Sequence, residues 1–292
     1  MTNSQLLDLR TEYHKKICGN ILGHRSGSQV YSNADTDNPL SVAIAAGMAS
    51  KMGHITTLSP PTGQATGALF GLYTKEFLTA SFNRLQHIRP GDWTLSSSQQ
   101  RPGIAQFEQY EHLAELVRVL EEHKDLKAAL GGDYLITPDI TVARTPLTDT
   151  VINAADPGNP FVTAGEDIAE HTPLREGNRL TPRKILHGSV SCKWTIRSDR
   201  SQNSRTEALN LVRNRKGKLP YIAAVIFEPL PSRIASIAMG TGDIDCTYHG
   251  ALSELLEATH EAKNTEAIDV LKMLVDGRRL RDISDLPFDL AA

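Results

Sequence analysis

The sequence predicts an α/β protein in which helices flank a mixed β-sheet. Leu186–Ile196 alternates in polarity, as expected for a strand with two unlike faces. Tyr221–Phe227 is a continuous apolar run, typical of a strand that is buried on both faces. Asn203–Arg215 lies between these strands and has the pattern of a helix. Strand, helix and buried strand in succession favour a sheet that is covered on both sides.

The N-terminal part of the chain is predicted to be helical. Residues 4–18 and Ser41–Met52 favour helices, with a polar loop between them. Thr57–Gly67 contains two prolines and two glycines and is therefore predicted to be a loop. A further helix is expected after it, because apolar residues recur at helical spacing at Phe70, Phe77, Leu78 and Phe82.

The middle of the chain combines one long helix with less regular segments. Phe107–Leu130 has apolar residues three or four apart, which predicts an amphipathic helix that a glycine pair at 131–132 ends. Asp133–Ala143 is rich in β-branched residues, and Pro138 inside it indicates a strand that is interrupted or lies at a sheet edge. Residues 145–182 show little periodicity and are expected to form a long excursion from the core.

Beyond the buried strand, the sequence predicts two more strands and two helices. Ile234–Met239 and Asp243–His249 favour strands, and Ala251–His260 and Glu266–Val275 favour helices that close the chain. No internal repeat or low-complexity linker divides the sequence, so we expect a single domain that spans residues 1–292.

Positive charge is concentrated in one segment. The formal net charge is −3, which by itself argues against nucleic acid as a partner. Residues 179–218, however, contain eleven Lys or Arg against two Asp or Glu, so this segment carries +9 and the remainder −12. A localised basic segment is typical of a surface that binds phosphate groups, so nucleic acid stays open as a partner.

Other features exclude several classes of protein. Cys18, Cys192 and Cys246 are odd in number and far apart, which indicates neither a disulfide framework nor a zinc ribbon and favours a reducing cytoplasm. The N-terminus lacks the apolar stretch of a signal peptide, and no apolar run is long enough to span a membrane. The patterns of P-loop, dinucleotide-binding, zinc-protease and α/β-hydrolase sites are absent from the sequence.

One predicted strand carries a candidate catalytic lysine. Side chains alternate along a strand, so Ser191 and Lys193 face one side while Cys192 faces the other. Asp139 follows Pro138 in a separate predicted strand. An aspartate and a lysine on neighbouring strands could bind Mg²⁺ and assist attack on a phosphodiester. Asp139 could equally be a turn or capping residue, and Lys193 could be a solvated charge at a strand edge.

The residues after this lysine are chemically suited to DNA bases. Arg can donate two hydrogen bonds to guanine and Asp can accept one from cytosine, so Arg197, Asp199 and Arg200 suit G·C pairs in a major groove. A surface turn held by ion pairs is the alternative. Glu207, on the following helix, could complete a metal site or form an ion pair within its own helix.

Several long segments carry a family resemblance. They are SCKWTIRSDR at Ser191–Arg200, EALNLVRNRKGKLP at Glu207–Pro220, PSRIASIAMGTGDIDC at Pro231–Cys246, LQHIRPGDW at Leu85–Trp93 and ITPDI at Ile136–Ile140. Together they resemble the NgoMIV family of type II restriction endonucleases, a group of PD-(D/E)xK nucleases, over nearly the whole chain. The resemblance implies the restriction-endonuclease-like α/β fold and Mg²⁺-dependent cleavage of double-stranded DNA by a cytoplasmic bacterial enzyme.

The same resemblance implies a catalytic site. Asp139 matches the family's metal-bridging aspartate, and Lys193 matches its catalytic lysine. Ser191 stands where the usual nuclease pattern has a second acidic residue, and Glu207 matches the carboxylate that the following helix supplies instead. The backbone carbonyl of Cys192 is expected to contribute to the metal site, which would hold two Mg²⁺ ions.

It also implies a DNA target and an assembly. Six residues match the family's base contacts: Arg197, Asp199 and Arg200 at an inner CCGG, Arg233 with Asp35 at the outer guanine, and Gln64 in the minor groove. The implied recognition site is GCCGGC, cut after the first G. The implied assembly is a homotetramer, a dimer of dimers that binds two DNA copies.

One position departs from the family. The family has a glutamate near the metal site, directly after the phenylalanine that matches Phe70, and this sequence has Gly71 there. Glu76 lies five residues further along the predicted helix and faces another direction. A water or another acid could substitute, or the enzyme could be slower. Two other functions stay open: a nuclease of the same fold with a role in repair or in a mobile element, and a DNA-binding protein with weak or no cleavage.

Overall fold

The computed structural model describes residues 4–97, 103–123, 125, 136–166, 168–196, 198–240 and 242–292, with only the backbone described at residues 117 and 198–202. These residues form two compact units. The first contains residues 4–89, 190–209 and 221–292, and the second is drawn from residues 90–189 and 210–220.

Within the described residues, six strands form one mixed sheet. They are β1 (Trp93–Ser97), β2 (Ile140–Arg144), β3 (Ile185–Lys193), β4 (Tyr221–Ile226), β5 (Cys246–His249) and β6 (Leu280–Asp282), and they lie in that order across the sheet. Strands β1 and β2 are antiparallel, whereas β4, β5 and β6 are parallel. The predicted α/β class with a mixed sheet is confirmed.

Ten α-helices accompany the sheet in the described part of the chain. They are α1 (Gln5–Asn20), α2 (Pro39–Met52), α3 (Gly63–Phe82), α4 (His112–Glu122), α5 (Asp149–Ile152), α6 (Ser198–Asn214), α7 (Pro231–Ala238), α8 (Leu252–Glu261), α9 (Thr265–Asp276) and α10 (Leu286–Ala291). In the first unit, α1 packs on α3 and α2 on α8. Gly47 permits the close approach of α2, because a Cβ there would lie 2.8 Å from the Cβ of Ala258.

The helices predicted near the N-terminus are confirmed, and their ends follow from local chemistry. The hydroxyl of Ser4 accepts a hydrogen bond from the backbone of Leu7 and caps α1. Asn38 caps α2, whose first residue is Pro39, and the helix ends at Gly53 with a φ of 68°. The prediction of a loop up to Gly67 is wrong, because α3 begins at Gly63, directly after the N-cap Thr62.

The predicted strand at Ile234–Met239 is wrong. This segment lies in α7, which begins with Pro231 at its first position, where proline is favoured because its missing N–H needs no partner. Ile234, Ile237 and Ala238 are buried at spacings of three and four residues. The β-branched isoleucines suggested a strand, but the spacing is that of an amphipathic helix.

The helix predicted at Phe107–Leu130 is only partly correct. Helix α4 covers His112–Glu122, two short 3₁₀ turns precede it, and residues 126–135 lie outside the described residues. The Gln109 side chain exchanges two hydrogen bonds with the backbone of Leu186, and Glu108 N–H donates to the Lys184 carbonyl. These bonds to β3 and the residue before it replace the regular helical pattern.

The strands also differ from prediction. In residues 136–143, the described part of Asp133–Ala143, the strand begins only at Ile140, after Pro138, as the alternative of an interrupted strand predicts, whereas the edge alternative is wrong because β2 has neighbours on both sides. Strand β3 ends at Lys193 and not at Ile196, and β5 begins at Cys246 instead of Asp243. The short elements β1, β6 and α10 were not predicted, because segments of three to six residues give too little periodicity.

Candidate functional site

The C-terminal end of β3 carries the candidate catalytic lysine. Ser191 and Lys193 are half-buried, whereas Val190 and Cys192 are at most 6% exposed, so the two faces predicted from strand alternation are confirmed. The Ser191 Oγ lies 3.5 Å from the Oγ of Ser204 on α6. Helix α6 therefore packs against the face of β3 that Ser191 and Lys193 share.

Three aromatic side chains anchor the end of this strand. Trp194 stacks on Phe227 with ring centroids 4.7 Å apart, and Phe70 meets both rings edge-on. The backbone N–H of Phe227 donates a hydrogen bond of 3.2 Å to the carbonyl of Lys193. The backbone of Lys193 is therefore fixed by the residue that follows β4, which limits where its side chain can reach.

Gly71, the position that departs from the family, lies next to this aromatic cluster on α3. It is buried, and a Cβ built on it would lie 4.0 Å from the Cβ of Cys192, an ordinary van der Waals contact. A side chain at position 71 would therefore start beside the strand that carries Lys193, and its first carbon would meet no clash.

Glu207 is half-buried on α6, three residues after Ser204. Residues three apart are neighbours on a helix surface, so Glu207 lies on the side of α6 that meets β3. Arg205 donates a hydrogen bond of 2.8 Å to the carbonyl of Ser236 on α7. Arg205 is thus a structural link between two helices of the first unit.

Asp139 is the last residue before β2, in the second unit. Its side chain is half-buried and lies between the buried residues Pro138 and Ile140. In the order of the sheet, β2 is next to β3. The backbone of Ile140–Arg144 pairs with β1 in antiparallel register, which fixes the direction in which the chain leaves Asp139.

A cavity of about 730 Å³ in the first unit contains two of the predicted base-contact residues, Arg233 and Asp35. The Arg233 guanidinium donates a hydrogen bond to the Asp35 carboxylate, and the side chains are 32% and 25% exposed. The structure therefore brings together two predicted residues that are 198 positions apart in the sequence. Other walls of the cavity come from Arg25, Asn33, Thr195, Ile196, Ser232 and Ser236.

Arg25, which the sequence did not single out, holds the segment that carries Asp35. Its guanidinium donates hydrogen bonds to the hydroxyl of Thr36 (2.7 Å) and to the carbonyls of Ala34 (2.6 Å) and Ser32 (3.2 Å). A single arginine in a polar loop gives no sequence signal for this role, because all its partners except the hydroxyl are backbone atoms.

Glu228 is a second residue that sequence reasoning missed. It is fully buried just after β4, and its two carboxylate oxygens accept hydrogen bonds from the backbone N–H groups of Ile196 (2.8 Å) and Leu230 (3.1 Å). Burial raises the pKa of Glu228 to about 7, although both hydrogen bonds and Arg233 act in the opposite direction. A charged residue directly after an apolar strand is the signal that could have identified it.

Three of the remaining predicted base-contact residues lie at two helix starts. Gln64 is exposed in the first turn of α3. Asp199 and Arg200 lie in the first turn of α6, where only the backbone is described, and Arg197 lies outside the described residues.

Part of the basic segment has a structural role. Arg179 forms an ion pair with Glu108 (3.0 Å) and donates to nearby backbone carbonyls. Arg183 donates to the carbonyl of Ala105 (2.9 Å) and lies 3.7 Å from the carboxylate of Glu111. These two arginines therefore stabilise the second unit. Fewer positive charges are available to phosphate groups than the segment's total of +9 indicates.

No group of three His, Cys, Asp or Glu side chains in the described ranges is placed to hold a metal ion. No helix in the same part of the chain is both long and apolar enough to cross a membrane.

The fold and the residues at the end of β3 define a class of protein. A mixed α/β sheet with helices on its faces and a half-buried lysine at the end of a strand is consistent with the restriction-endonuclease-like fold. Comparison with known proteins supports this class: residues 13–292 match the family described as NgoMIV restriction enzyme.

The chain is also 49% identical over 285 residues to the Type II restriction enzyme NgoMIV of Neisseria gonorrhoeae, with 97% of each chain covered. The chain therefore belongs to the NgoMIV restriction enzyme family. It is a type II restriction endonuclease, a hydrolase that cleaves double-stranded DNA at specific sites, and enzymes of this type generally use a divalent metal ion.

Proposed function

We propose that this enzyme recognises GCCGGC and cleaves it after the first G, with Mg²⁺ as its metal ion and residues 1–292 as a single endonuclease domain. The observation that supports the catalytic assignment best is the pairing of Ser191 on β3 with Ser204 on α6. This contact puts the helix of Glu207 against the strand face of Lys193. The serine, lysine and glutamate of the family pattern are thus on two elements in contact.

The donor set suits Mg²⁺. By the family resemblance, Asp139 and Glu207 would supply carboxylate oxygens and Cys192 a backbone carbonyl, which are the hard oxygen ligands that Mg²⁺ prefers. Two carboxylate side chains and a backbone carbonyl do not make a group of three metal-binding side chains, so the absence of such a group among the described residues does not oppose this assignment. When bound, two Mg²⁺ ions would lower the pKa of a water and neutralise charge on the scissile phosphate.

Lys193 is the side chain that acts directly on the attacking water and the phosphate in the proposed mechanism. As an ammonium group it would orient the attacking water and stabilise the charge that develops on the phosphate, whereas only its neutral amine form could accept a proton from that water. Ser191, beside it, takes the place of the acidic residue of the common nuclease pattern. Because Ser191 carries no charge, the acidic function at this position is left to Glu207 on α6.

Recognition is assigned to residues around the end of β3 and the start of α7. Arg197 and Arg200 would donate paired hydrogen bonds to inner guanines, and Asp199 would accept from a cytosine amino group. Arg233 would donate to the outer guanine from the cavity that it shares with Asp35. Gln64, exposed at the start of α3, would reach the minor groove.

The palindromic target implies an assembly. Two copies related by a two-fold axis can contact the two halves of GCCGGC identically. We therefore propose a dimer as the unit that binds one site, and a homotetramer of two such dimers that binds two. The working compartment would be the bacterial cytoplasm, where the three cysteine thiols stay reduced.

Cleavage of defined duplexes tests this proposal. The purified enzyme is incubated with Mg²⁺ and a plasmid that carries one GCCGGC, and both strands at the ends are sequenced. A four-base 5′ overhang starting at CCGG is expected, with no product in chelator. Matched plasmids with the outer G·C replaced by A·T, or with one inner pair changed, should stay intact. Cutting at another sequence, or at all three plasmids, would refute the assigned specificity.

A further inference from the structure

A buried carboxylate joins two walls of the cavity that contains Arg233 and Asp35. Glu228 lies just after β4 and is 0% exposed. One oxygen accepts the N–H of Ile196, at 2.8 Å, and the other accepts the N–H of Leu230, at 3.1 Å. Both oxygens of the side chain are therefore occupied by backbone donors from different segments.

Each of these segments borders the cavity. Ile196 is itself part of the cavity wall, at the exit from β3. Leu230 is the N-cap of α7, and its carbonyl accepts the N–H of Arg233 at 3.0 Å. The carboxylate of Glu228 thus sets the distance between the wall at Ile196 and the helical turn that presents Arg233.

A third segment meets the same point. The side-chain amide of Asn33 donates to the carbonyl of Phe227 at 3.4 Å, two residues before Asp35 and one residue before Glu228. On the other side, His249 accepts the N–H of Ala251 at Nδ1 (3.0 Å), so its Nε2 carries the proton and donates to the Glu228 carbonyl (3.1 Å). The backbone carbonyls of Phe227 and Glu228, before and after the Glu228 side chain, are therefore both held by hydrogen bonds.

The chemistry of the two contacts explains why a carboxylate is present. Both partners are N–H donors, and only a carboxylate offers an acceptor on each of its terminal atoms. A glutamine of the same size would accept one N–H and turn an NH₂ group toward the other, which leaves a donor facing a donor. An apolar side chain at this position would leave the N–H groups of both Ile196 and Leu230 without this acceptor.

We propose that Glu228 is a positioning residue for DNA recognition: by bonding Ile196 and Leu230, it holds Arg233 in the orientation that discriminates the outer base pair. This inference rests on the proposed role of Arg233 and Asp35 in recognition. Glu228 does not touch DNA in this proposal, and its effect on sequence choice passes through the helical turn of Arg233.

The test compares Glu228→Gln with the native enzyme. Cleavage rates are measured on GCCGGC and on a duplex whose outer G·C is replaced by A·T, together with affinity for a duplex that lacks the site. The ratio of the two cleavage rates should fall by about tenfold, the worth of one well-oriented paired base contact. Affinity for the duplex without a site should stay within about twofold, because phosphate contacts dominate it.

Two further measurements separate positioning from general loss of structure. Hydrogen exchange at the amides of Ile196 and Leu230 should be faster in Glu228→Gln, with an unchanged circular dichroism spectrum. Asp245→Asn is the matched control, since Asp245 also accepts a backbone N–H, from Ile222 at 2.7 Å, but outside these segments. It should leave the rate ratio unchanged. If the Gln variant does not fold, Glu228→Asp, whose shorter side chain cannot reach both amides, is measured with the same expected fall.

Arg233→Ala distinguishes a failure of the positioning role of Glu228 from a failure of the recognition role of Arg233. If Arg233→Ala relaxes the outer pair and a folded Glu228→Gln keeps the native ratio, the role of Glu228 is refuted while that of Arg233 stands. If Arg233→Ala leaves the ratio unchanged, its recognition role fails and the inference falls with it. An equal loss of rate on both duplexes by Glu228→Gln would also refute positioning.

Discussion

Lys193 has a proposed role that a single substitution can isolate. In Lys193→Ala the ammonium group is lost, while the backbone hydrogen bond from Phe227 and the stacking of Trp194 remain. We expect the cleavage rate to fall by about a hundredfold or more, as for loss of other groups that stabilise a transition state. Affinity for GCCGGC, measured by gel shift without divalent metal, should stay within about twofold.

Lys184, the residue directly before β3, provides the matched control. Its ammonium group donates to the hydroxyl of Thr94 at 2.7 Å. Lys184→Ala removes an equal charge from the residue that precedes the strand and should keep the native cleavage rate. Weakened binding by Lys193→Ala, in step with its loss of cleavage, would place Lys193 in recognition instead of catalysis.

Gly71 permits a gain-of-function test. Since a Cβ at this position meets only the Cβ of Cys192, at 4.0 Å, Gly71→Glu can begin a side chain beside the proposed metal ligands. The added carboxylate should lower the Mg²⁺ concentration for half-maximal rate by about tenfold, as for groups that support metal ligands. Gly71→Gln, equal in size and uncharged, should not. The same Mg²⁺ dependence in all three proteins would show that the departure at this position is neutral.

Glu228 also makes a prediction about pH. Because burial raises its pKa to about 7, the folded state binds its proton more tightly than the unfolded state does. This stabilisation is complete below the ordinary glutamate pKa and is lost as pH rises through about 7. Near the group are Arg233, which opposes the shift, Asp35, which adds to it, and His249, whose pKa burial lowers to about 4.

The measurement is chemical denaturation of the native enzyme and Glu228→Gln at pH 5 and pH 8. The native enzyme should lose up to about 3 kcal/mol of unfolding free energy relative to the variant over this interval. An equal pH response of the two proteins would show that Glu228 does not titrate in this range.

Residue-level prediction succeeded where chemistry is local and failed where partners are distant. The alternation that separates Lys193 from Cys192 follows from strand geometry alone. Glu228 was missed because its partner Ile196 is 32 residues away, and only the fold brings the two together. Arg25 was missed because it binds backbone carbonyls, which every residue has.

At the scale of elements, α7 shows how composition misleads. The strand prediction for Ile234–Met239 came from β-branched residues, yet Pro231 at a first helical position and buried residues three and four apart were also visible in the sequence. The error matters for the site. In a helix, Arg233 and Ser236 lie on one side, and both line the cavity, whereas a strand would place them on opposite faces.

The excursion at residues 145–182 has an internal organiser. Arg175 is 4% exposed and binds both oxygens of Asp149, on α5, at 2.7 and 2.8 Å. It also pairs with Glu170 at 2.9 Å and donates to the carbonyls of Thr163 and Ile168. One buried guanidinium thus ties together segments with little regular structure, which periodicity could not reveal.

Arg175→Met should open this excursion. Loss of even one such charge-assisted hydrogen bond is worth about tenfold in an opening equilibrium. Limited proteolysis should therefore cleave within residues 149–180 about tenfold faster than in the native enzyme. Arg118→Met, which breaks exposed ion pairs with Glu115 and Glu122 on α4, is the control and should have little effect. Equal proteolysis of both variants and the native enzyme would show that other contacts hold the segment.

Across the whole molecule, the amino-acid composition of the chain gives no indication of the two compact units. Each is assembled from separate stretches of chain, and β3 passes through both, with Ile185–Ser189 in the second unit and Val190–Lys193 in the first. A linker with distinct composition is the signal that sequence analysis uses for a boundary, and no such linker is needed when the chain crosses between units within a strand.

The charge of the whole chain makes a final prediction. A net charge of −3 conceals a +9 segment, but Arg179 and Arg183 within it are engaged with Glu108 and Glu111. Some of the other basic residues of the segment can contact phosphates, and a protein with six to ten phosphate contacts loses roughly a thousandfold or more in affinity between 50 and 200 mM salt. We expect the affinity for GCCGGC without divalent metal to fall by this amount.

Arg179→Ala should leave the slope of log affinity against log salt unchanged, because its charge is already neutralised. Affinity that hardly varies with salt would mean that the basic segment does not face DNA.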